Sequence, residues 1–170
     1  MLNIVVTSIQ PALNNIIKNF VYEEKYKWKK DLKNVKALTS GFNPPYQFFD
    51  ELYDFSYKVL KKLTKREWQR SCWWTNYYSK SNYCDPHHHK PETLSAIVIV
   101  KSSPKNPLYF IENNEKYDIK EQDGMMLFFD SEYFHGVKAC ENERITCTLD
   151  FIPKTKATLP ITKWGGGHNG

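Results

Sequence analysis

The residues best suited to chemistry are histidines that lie close together in the chain. His87, His88 and His89 are adjacent, shortly before an apolar segment, residues 94–100, that is typical of a strand. In an extended chain residues i and i+2 face the same side, so His87 and His89 can converge on one point while His88 points away. Neutral imidazole is a ligand for iron, zinc, copper and nickel, so the pair indicates a metal site.

A further histidine, His135, follows 46 residues after His89, behind a second apolar segment, residues 125–129. Three ligands from neighbouring strands would leave positions open for a substrate, as a catalytic metal requires. Taken singly, the triplet could be polar surface and His135 a core histidine. Of the five histidines, only His168 lies outside these two stretches. Their placement therefore favours a metal site.

Arg144 begins another β-prone segment, in which Arg144, Thr146 and Thr148 share one face of the predicted strand. An arginine directed into a small barrel is costly unless it meets a carboxylate, which a guanidinium binds bidentately. The segment therefore indicates a site for a carboxylate. The alternative is an arginine at the rim of a barrel, paired with Glu141 or Glu143.

After residue 70 the sequence is typical of short strands separated by turns. We predict seven strands, at residues 71–79, 94–101, 107–111, 116–120, 124–129, 134–139 and 144–152. Turn-forming pairs such as Asn113-Asn114 and Asp123-Gly124 separate them. Strands at this spacing favour a sandwich or barrel over βαβ units.

Before residue 70 the pattern is mostly helical, after a short β-prone run from Leu2 to Ile9. We predict a short helix from Pro11 to Asn19 and a longer one over residues 44–70, with Asn43 as its N-cap. The longer helix has an apolar stripe at helical spacing: Phe48, Leu52, Phe55, Val59 and Leu63. We therefore expect a mainly β, α+β fold in which N-terminal helices flank a β core.

With 170 residues, the chain is the size of a single domain. We divide it into a helical support (1–70), a β core (71–152) and an extended tail (153–170). The formal charge of +5 is unevenly placed: the first 70 residues contain 13 basic and 7 acidic residues, the remainder 11 and 12. The proposed core therefore carries none of the excess positive charge.

Composition excludes several classes of protein. A hydrophobic content of 41% is too high for a disordered chain, and no apolar run approaches the length of a membrane span. The four cysteines show no CxxC spacing, which favours thiols over disulfides. The first residues lack the basic region of a secretory signal. We expect a cytoplasmic protein without a membrane partner.

Together these segments resemble the Fe(II)- and 2-oxoglutarate-dependent dioxygenases, whose core is a double-stranded β-helix of the jelly-roll or cupin kind. The resemblance covers roughly residues 70–152. The chain is particularly similar to short oxygenases common in phages and marine microbes, and more distantly to prolyl 4-hydroxylases. The similarity to phage oxygenases would suit a virus-encoded protein of the host cytoplasm. The matching segments, in order, are Asn76-Tyr77-Tyr78, Pro86-His87-x-His89, Leu94-Ser95, residues 123–131, His135-Gly136-Val137 and Glu143-Arg144-Ile145-Thr146.

The resemblance implies roles for individual residues. His87 and His135 match the two histidine ligands of iron, and Arg144 matches the base that pairs with the distal carboxylate of 2-oxoglutarate. Tyr78 matches a tyrosine that also contacts this carboxylate, and Thr146 is expected to be a hydrogen-bonding neighbour. The implied cofactors are Fe(II), 2-oxoglutarate as co-substrate, and O2.

The second position of the metal motif departs from the family. Most members have Asp or Glu there, completing a 2-His-1-carboxylate site, whereas this chain has His89. Three arrangements are open: a three-histidine site, a carboxylate from elsewhere such as Asp85, or a vacant ligand position. We favour His89 as the third ligand.

The resemblance implies an oxygenase that couples oxidative decarboxylation of 2-oxoglutarate to hydroxylation of a substrate C–H bond. The substrate would be a protein or peptide, with peptidyl proline as one candidate, or a small molecule. One alternative is a cupin-like three-histidine dioxygenase without 2-oxoglutarate, such as a thiol dioxygenase. Another is a non-catalytic module that binds nucleic acid or an acidic partner through the basic stretch from Lys25 to Lys36.

Overall fold

The computed structural model describes residues 3–30 and 33–154. In chain order they form β1 (Val5–Ser8), α1 (Pro11–Glu24), a 3-10 turn (Lys25–Lys27), β2 (Lys29–Lys30), β3 (Val35–Lys36), β4 (Leu38–Thr39), α2 (Phe48–Thr64), β5 (Trp68–Tyr78), β6 (Tyr83–His87), β7 (Leu94–Lys101), β8 (Leu108–Glu112), β9 (Glu115–Asp118), β10 (Met125–Asp130), β11 (His135–Val137) and β12 (Arg144–Pro153).

The strands form two antiparallel sheets. The larger has seven strands in the order β1-β10-β7-β12-β5-β4-β2, and the smaller has five in the order β3-β6-β11-β8-β9. Sequential strands repeatedly fall in opposite sheets, as in a jelly roll. The predicted fold class, a mainly β jelly-roll core with two helices, is confirmed.

Strand β7 shows how the layers are held together. Its alternate residues Ala96 and Val98 belong to a core shared with the helices, whereas Ile97 and Ile99 belong to a second core between the two sheets. All four are at most 5% exposed. Burial on both faces explains why this segment is continuously apolar rather than alternating.

The longer helix is shorter than predicted. It begins at Phe48, and Lys65 ends it in the left-handed conformation with φ 58°. Pro45 disfavours the helical region for the residue before it, Pro44, so the helix does not begin at residue 44 as expected. Asn43 does not cap it; its side-chain oxygen instead accepts a hydrogen bond from the Trp73 backbone N–H at 3.0 Å. Leu63, placed in the apolar stripe, is 50% exposed.

The N-terminal 70 residues contribute four strands, of which β1 lies within the expected β-prone run and β2 to β4 were not expected. β1 pairs with β10 at one edge of the larger sheet, β4 pairs with β5, and β3 pairs with β6. Strands β2 to β4 have two residues each, which is too short for an alternating pattern to be visible. Strand β6, which carries His87, was also absent from the predicted strands.

Three further expectations concern the C-terminal tail, a membrane span and the cysteines. The predicted tail begins with Pro153, the last residue of β12, and from residue 155 onward it lies outside the described residues. Neither helix of the described ranges has the length and apolarity needed to span a bilayer. The four cysteines form no disulfide within the described part of the chain.

Candidate active site

His87 and His135 are brought together by strand pairing in the smaller sheet. β6 and β11 run antiparallel, and His135 is directly opposite His87 in the register. Their ring centroids are 4.6 Å apart. β6 ends at His87, so both rings lie where the strand pair leads into loops, and His135 is only 2% exposed.

His89 reaches the same point from just beyond the end of β6. Its backbone N–H donates to the carbonyl of Ser131 at 2.8 Å, which anchors the loop to the segment after β10. The Nε2 atoms of His87 and His89 are 3.1 Å apart. His88 is exposed and lies against the exposed Phe134 at 4.9 Å between ring centroids, as the i, i+2 spacing predicts.

The structure thus brings the three predicted histidines into one cluster. One ring nitrogen from each of His87, His89 and His135 lies within 4.8 Å of the other two. Asp85, the alternative carboxylate, is not a member of this cluster, and its side chain is exposed. The donor set that the described residues offer to a metal is therefore three imidazoles.

Each histidine of the cluster is oriented by a hydrogen bond at Nδ1, leaving Nε2 toward the others. A carbonyl or carboxylate oxygen can only accept, so each Nδ1 carries the proton and Nε2 holds a free lone pair. The acceptors are the Asp85 backbone oxygen for His87 (2.9 Å), the Tyr133 backbone oxygen for His135 (3.0 Å) and Asp150 Oδ1 for His89 (2.9 Å).

Electrostatics keep two of these rings neutral. Burial, followed by the neighbouring His89, lowers the pKa of His87 to about 4. Burial and the neighbouring His89 and His87 hold the pKa of His135 well below its usual value. A metal ligand must be the unprotonated imidazole, so both histidines are in the binding form at neutral pH.

Strands β5 and β12 of the larger sheet supply the opposite wall. Arg144 is directly opposite Tyr78 in the register, and Thr146 is opposite Asn76. Side chains of such pairs lie on the same face of a sheet. Both pairs line a cavity that is also lined by the three clustered histidines.

Arg144 is fully buried, and its charge is met by a residue that the sequence did not suggest. It forms an ion pair through Nη1 with Glu121, and neither side chain is exposed. The other oxygen of Glu121 accepts the backbone N–H of Leu108 at 2.7 Å. The expected partners lie elsewhere: Glu141 contacts Lys105, and Glu143 contacts Lys101.

Two donors of Arg144 are left over. Nε and Nη2 are buried and have no hydrogen-bond partner among the described residues. These two nitrogens form one edge of the guanidinium group, the edge that binds a carboxylate bidentately. Buried donors of this kind are costly unless a partner arrives, so the edge is suited to an anionic ligand in the cavity.

Tyr78 offers a further donor beside Arg144. It is 2% exposed, and burial raises the pKa of its hydroxyl well above the ordinary value. The hydroxyl therefore keeps its proton and can donate to a carboxylate. Thr146, 4% exposed and two residues along β12, adds a second hydroxyl to the same wall.

Sequence reasoning missed Glu121 and Asp150. Asp150 continues the period of two that joins Arg144 and Thr146, which is a signal that could have found it. Trp74 also lines the cavity, with its ring 5.3 Å from that of His89. No local pattern marks Glu121, which acts on β12 from the loop between β9 and β10.

The basic stretch is only partly a surface feature. Lys25 lies 3.9 Å from the centre of the Tyr77 ring, and Trp28 is 8% exposed and donates to the hydroxyl of Tyr46. Lys25 thus contacts the larger sheet directly after the first helix, and Trp28 is part of the core between the helices and that sheet. Lys25 and Trp28 are therefore not available to the proposed binding face.

Comparisons with known proteins place this fold. No family model matches the chain, and no curated protein matches its sequence. Among solved structures, a prolyl-4-hydroxylase from Pseudomonas putida superposes with a TM-score of 0.73 at 12% identity, covering 91% of this chain and 95% of that one. The fold is that of the prolyl-4-hydroxylases and other 2OG-Fe(II) oxygenases.

Two further neighbours carry ligands. The viral collagen prolyl hydroxylase of Paramecium bursaria Chlorella virus-1, solved as its 2OG complex, has a TM-score of 0.68 at 12% identity and covers 87% of this chain and 94% of that one. HygX from Streptomyces hygroscopicus, solved with nickel, 2-oxoglutarate and hygromycin B, has a TM-score of 0.70 at 9% identity, with coverage of 90% and 84%. The fold resemblance expected from the sequence is confirmed.

Proposed function

We propose that this protein is an Fe(II)- and 2-oxoglutarate-dependent oxygenase. The observation that carries the proposal is the content of one cavity: three imidazole nitrogens converge at one side, and a buried guanidinium edge without partners lies at the other. The first group suits a divalent metal, which the 2-oxo acid end of 2-oxoglutarate would chelate, and the second suits the distal carboxylate at the other end of that molecule.

The three histidines would hold the metal. Each is fixed at Nδ1, so the ring orientation that directs Nε2 inward is set before a metal binds. When bound, Fe(II) supplies the redox chemistry by which one oxygen atom of O2 enters succinate, as 2-oxoglutarate loses CO2, and the other converts substrate C–H to C–OH. Three protein ligands leave open positions for this chemistry.

Arg144, Tyr78 and Thr146 would hold the distal carboxylate of 2-oxoglutarate. Glu121 fixes the guanidinium through Nη1 and leaves the Nε–Nη2 edge free to donate. The Tyr78 hydroxyl stays protonated for the reason given above and donates beside it. The burial of this wall excludes water, which strengthens each charge-assisted hydrogen bond made there.

The test is an anaerobic Fe(II) titration with and without 2-oxoglutarate, following the weak visible charge-transfer band of the chelate. The double variant Arg144→Met/Glu121→Gln removes the guanidinium without leaving a buried charge. It should weaken 2-oxoglutarate binding by roughly 10- to 150-fold, the value of charged hydrogen bonds, with little change in affinity for Fe(II). His88→Ala, outside the cluster, is the matched control and should match the parent.

Absence of the band in the parent protein would contradict the proposal. A double variant that binds 2-oxoglutarate as tightly as the parent would remove the role assigned to Arg144. Binding of Fe(II) that is unchanged by His135→Ala would remove the role of the cluster.

A second candidate is a cupin-like dioxygenase that uses three histidines and no 2-oxoglutarate. The all-histidine cluster favours it, since 2-His-1-carboxylate sites are the usual mark of the first class. In that case Arg144 would bind a carboxylate of the substrate itself. The same titration separates the two: Fe(II) binding with no 2-oxoglutarate band, together with consumption of O2 in the presence of a carboxylate-bearing thiol, supports the second candidate.

The substrate we propose to examine first is a peptidyl proline. Two of the superposed structures are prolyl hydroxylases, whereas HygX is bound to the small molecule hygromycin B. Proline-rich peptides and a panel of small hydroxylatable molecules, assayed by succinate release, separate the two substrate classes.

A further inference from the structure

A buried carboxylate, Asp150, lies behind His89 on the side away from the cluster. Its Oδ1 is 2.9 Å from His89 Nδ1 and accepts a hydrogen bond from Ser95 Oγ at 2.6 Å. Ser95 is in turn 2.9 Å from the hydroxyl of Ser131. Asp150 is 3% exposed, and both serines are fully buried. An isolated carboxylate is costly at this depth, so its position calls for a partner that benefits from its charge.

His89 is distinguished from the other two histidines by this partner. His87 and His135 donate to neutral backbone carbonyls, whereas His89 donates to a carboxylate. A hydrogen bond to an ionised acceptor is stronger than one to a neutral carbonyl, and it raises the electron density of the ring. The Nε2 lone pair of His89 is therefore the strongest donor of the three.

The fold brings Asp150 to this place through strand register. On β12 it lies on the same inward face as Arg144 and Thr146, six and four residues further along the strand. It is directly opposite Ser95 of β7, which makes the hydrogen bond between them a cross-strand contact. One face of β12 thus runs from the carboxylate-binding end of the cavity to the back of the metal cluster.

We propose that Asp150 is a positioning residue that acts through His89. Through its hydrogen bond to His89, it supplies the negative charge that an Asp or Glu ligand supplies directly in 2-His-1-carboxylate sites. It fixes the Nδ1–H tautomer and the ring orientation of His89 and strengthens Nε2 as a ligand. Ser95 and Ser131 fix the carboxylate in turn. This inference rests on the proposed function, because it concerns metal binding by the same three histidines.

The test measures the Kd of Co(II), used as the probe metal, by titration of its visible spectrum. Partners of ligand histidines are typically worth 10- to 100-fold in metal affinity, so Asp150→Asn should raise the Kd by about that factor. The matched control is Asp123→Asn, which also accepts a serine hydroxyl, from Ser102 at 2.7 Å, but makes no hydrogen bond to the clustered histidines as Asp150 does to His89. It should leave the Kd unchanged.

A double-mutant cycle separates action through His89 from general structural damage. In a His89→Ala background, Asp150→Asn should change the Kd by less than about twofold, since the histidine through which it acts is gone. An equal effect in both backgrounds overturns the proposal. So does a Kd for Asp150→Asn that equals that of the parent.

Ser95→Ala keeps the carboxylate and removes only one hydroxyl, and it serves if Asp150→Asn does not fold. The Ser95 hydroxyl donates to the Asp150 carboxylate and also lies 3.0 Å from His89 Nδ1, so its loss should raise the Kd by about two- to tenfold. An unchanged Kd in this variant then overturns the role. A parent that does not bind Co(II) at all overturns the proposed function as well, whereas a parent that binds while the variants match it overturns the role of Asp150 alone.

Discussion

Replacing Arg144 by methionine should destabilise the protein strongly, because it leaves the buried Glu121 carboxylate without its ion-pair partner. Both side chains are completely buried, and without Arg144 the Glu121 carboxylate keeps only the Leu108 N–H among its hydrogen bonds. Removing one partner of a buried ion pair costs about 3–5 kcal/mol. We expect Arg144→Met to lower the free energy of unfolding by that amount.

The companion variant Arg144→Met/Glu121→Gln should recover most of this loss. The amide oxygen of glutamine can still accept the Leu108 N–H, and no charge is left in the core. Replacing both members of a buried pair by uncharged groups is often close to neutral, so the double variant should unfold within about 1 kcal/mol of the parent. The double variant also removes the two unpartnered donors of Arg144, each of which costs about 1–3 kcal/mol when it is buried and unsatisfied.

Urea unfolding followed by tryptophan fluorescence measures these differences, with equal m-values as the check that one transition is compared in all three proteins. Adding 2-oxoglutarate at about 100 times its Kd should stabilise the parent by about 2.7 kcal/mol and both variants far less. The reasoning is refuted if Arg144→Met is as stable as the parent, or if Glu121→Gln fails to restore stability in its background. Ligand stabilisation that survives in the double variant would refute the role of the guanidinium.

Two further predictions concern stability at other positions. Gly136→Ala should lower the unfolding free energy by about 1–3 kcal/mol and weaken Fe(II) binding. A Cβ at this position, beside His135, would lie 2.8 Å from the Cys84 carbonyl and 2.6 Å from the Tyr109 hydroxyl. Wild-type thermal stability and an unchanged Kd for Fe(II) in this variant would contradict the prediction. Hydrogen bonds from Tyr77 and then from Lys101 lower the pKa of Glu143 to about 2, so its contribution is complete above pH 4.5 and is lost as the pH falls toward 2. The parent should therefore exceed Glu143→Gln in stability by about 1 kcal/mol at pH 7, a value reduced by the 38% exposure of the side chain, and by much less at pH 2.5 in urea titrations; a pH-independent difference would contradict this.

Much of the site follows from short-range pattern. The i, i+2 relation predicts that His87 and His89 converge and that His88 does not, and the structure has this arrangement. The same period predicts that Arg144 and Thr146 share a face. These relations depend only on the alternation of side chains in an extended chain, and this alternation does not require tertiary contacts.

Other predictions from local sequence are wrong because pairing between residues distant in the chain overrides the local preference. Asn43 has the character of a helix cap, yet its side chain is used by the Trp73 backbone, and the helix starts at Phe48. The two-residue strands of the N-terminal region exist because neighbouring strands offer hydrogen-bond partners. Their own sequences are too short to specify a strand.

The sequence by itself determined which groups are available and which of them share a strand face: three histidines in two stretches, and an arginine followed at every second position by polar residues. Only the tertiary structure decided what these groups meet. It placed Glu121 against Arg144, and Asp150 behind His89 across 61 residues of chain. Such pairs depend on strand register and on which sheet each strand joins, and these are properties of the assembled core, where burial makes every unpaired charge costly.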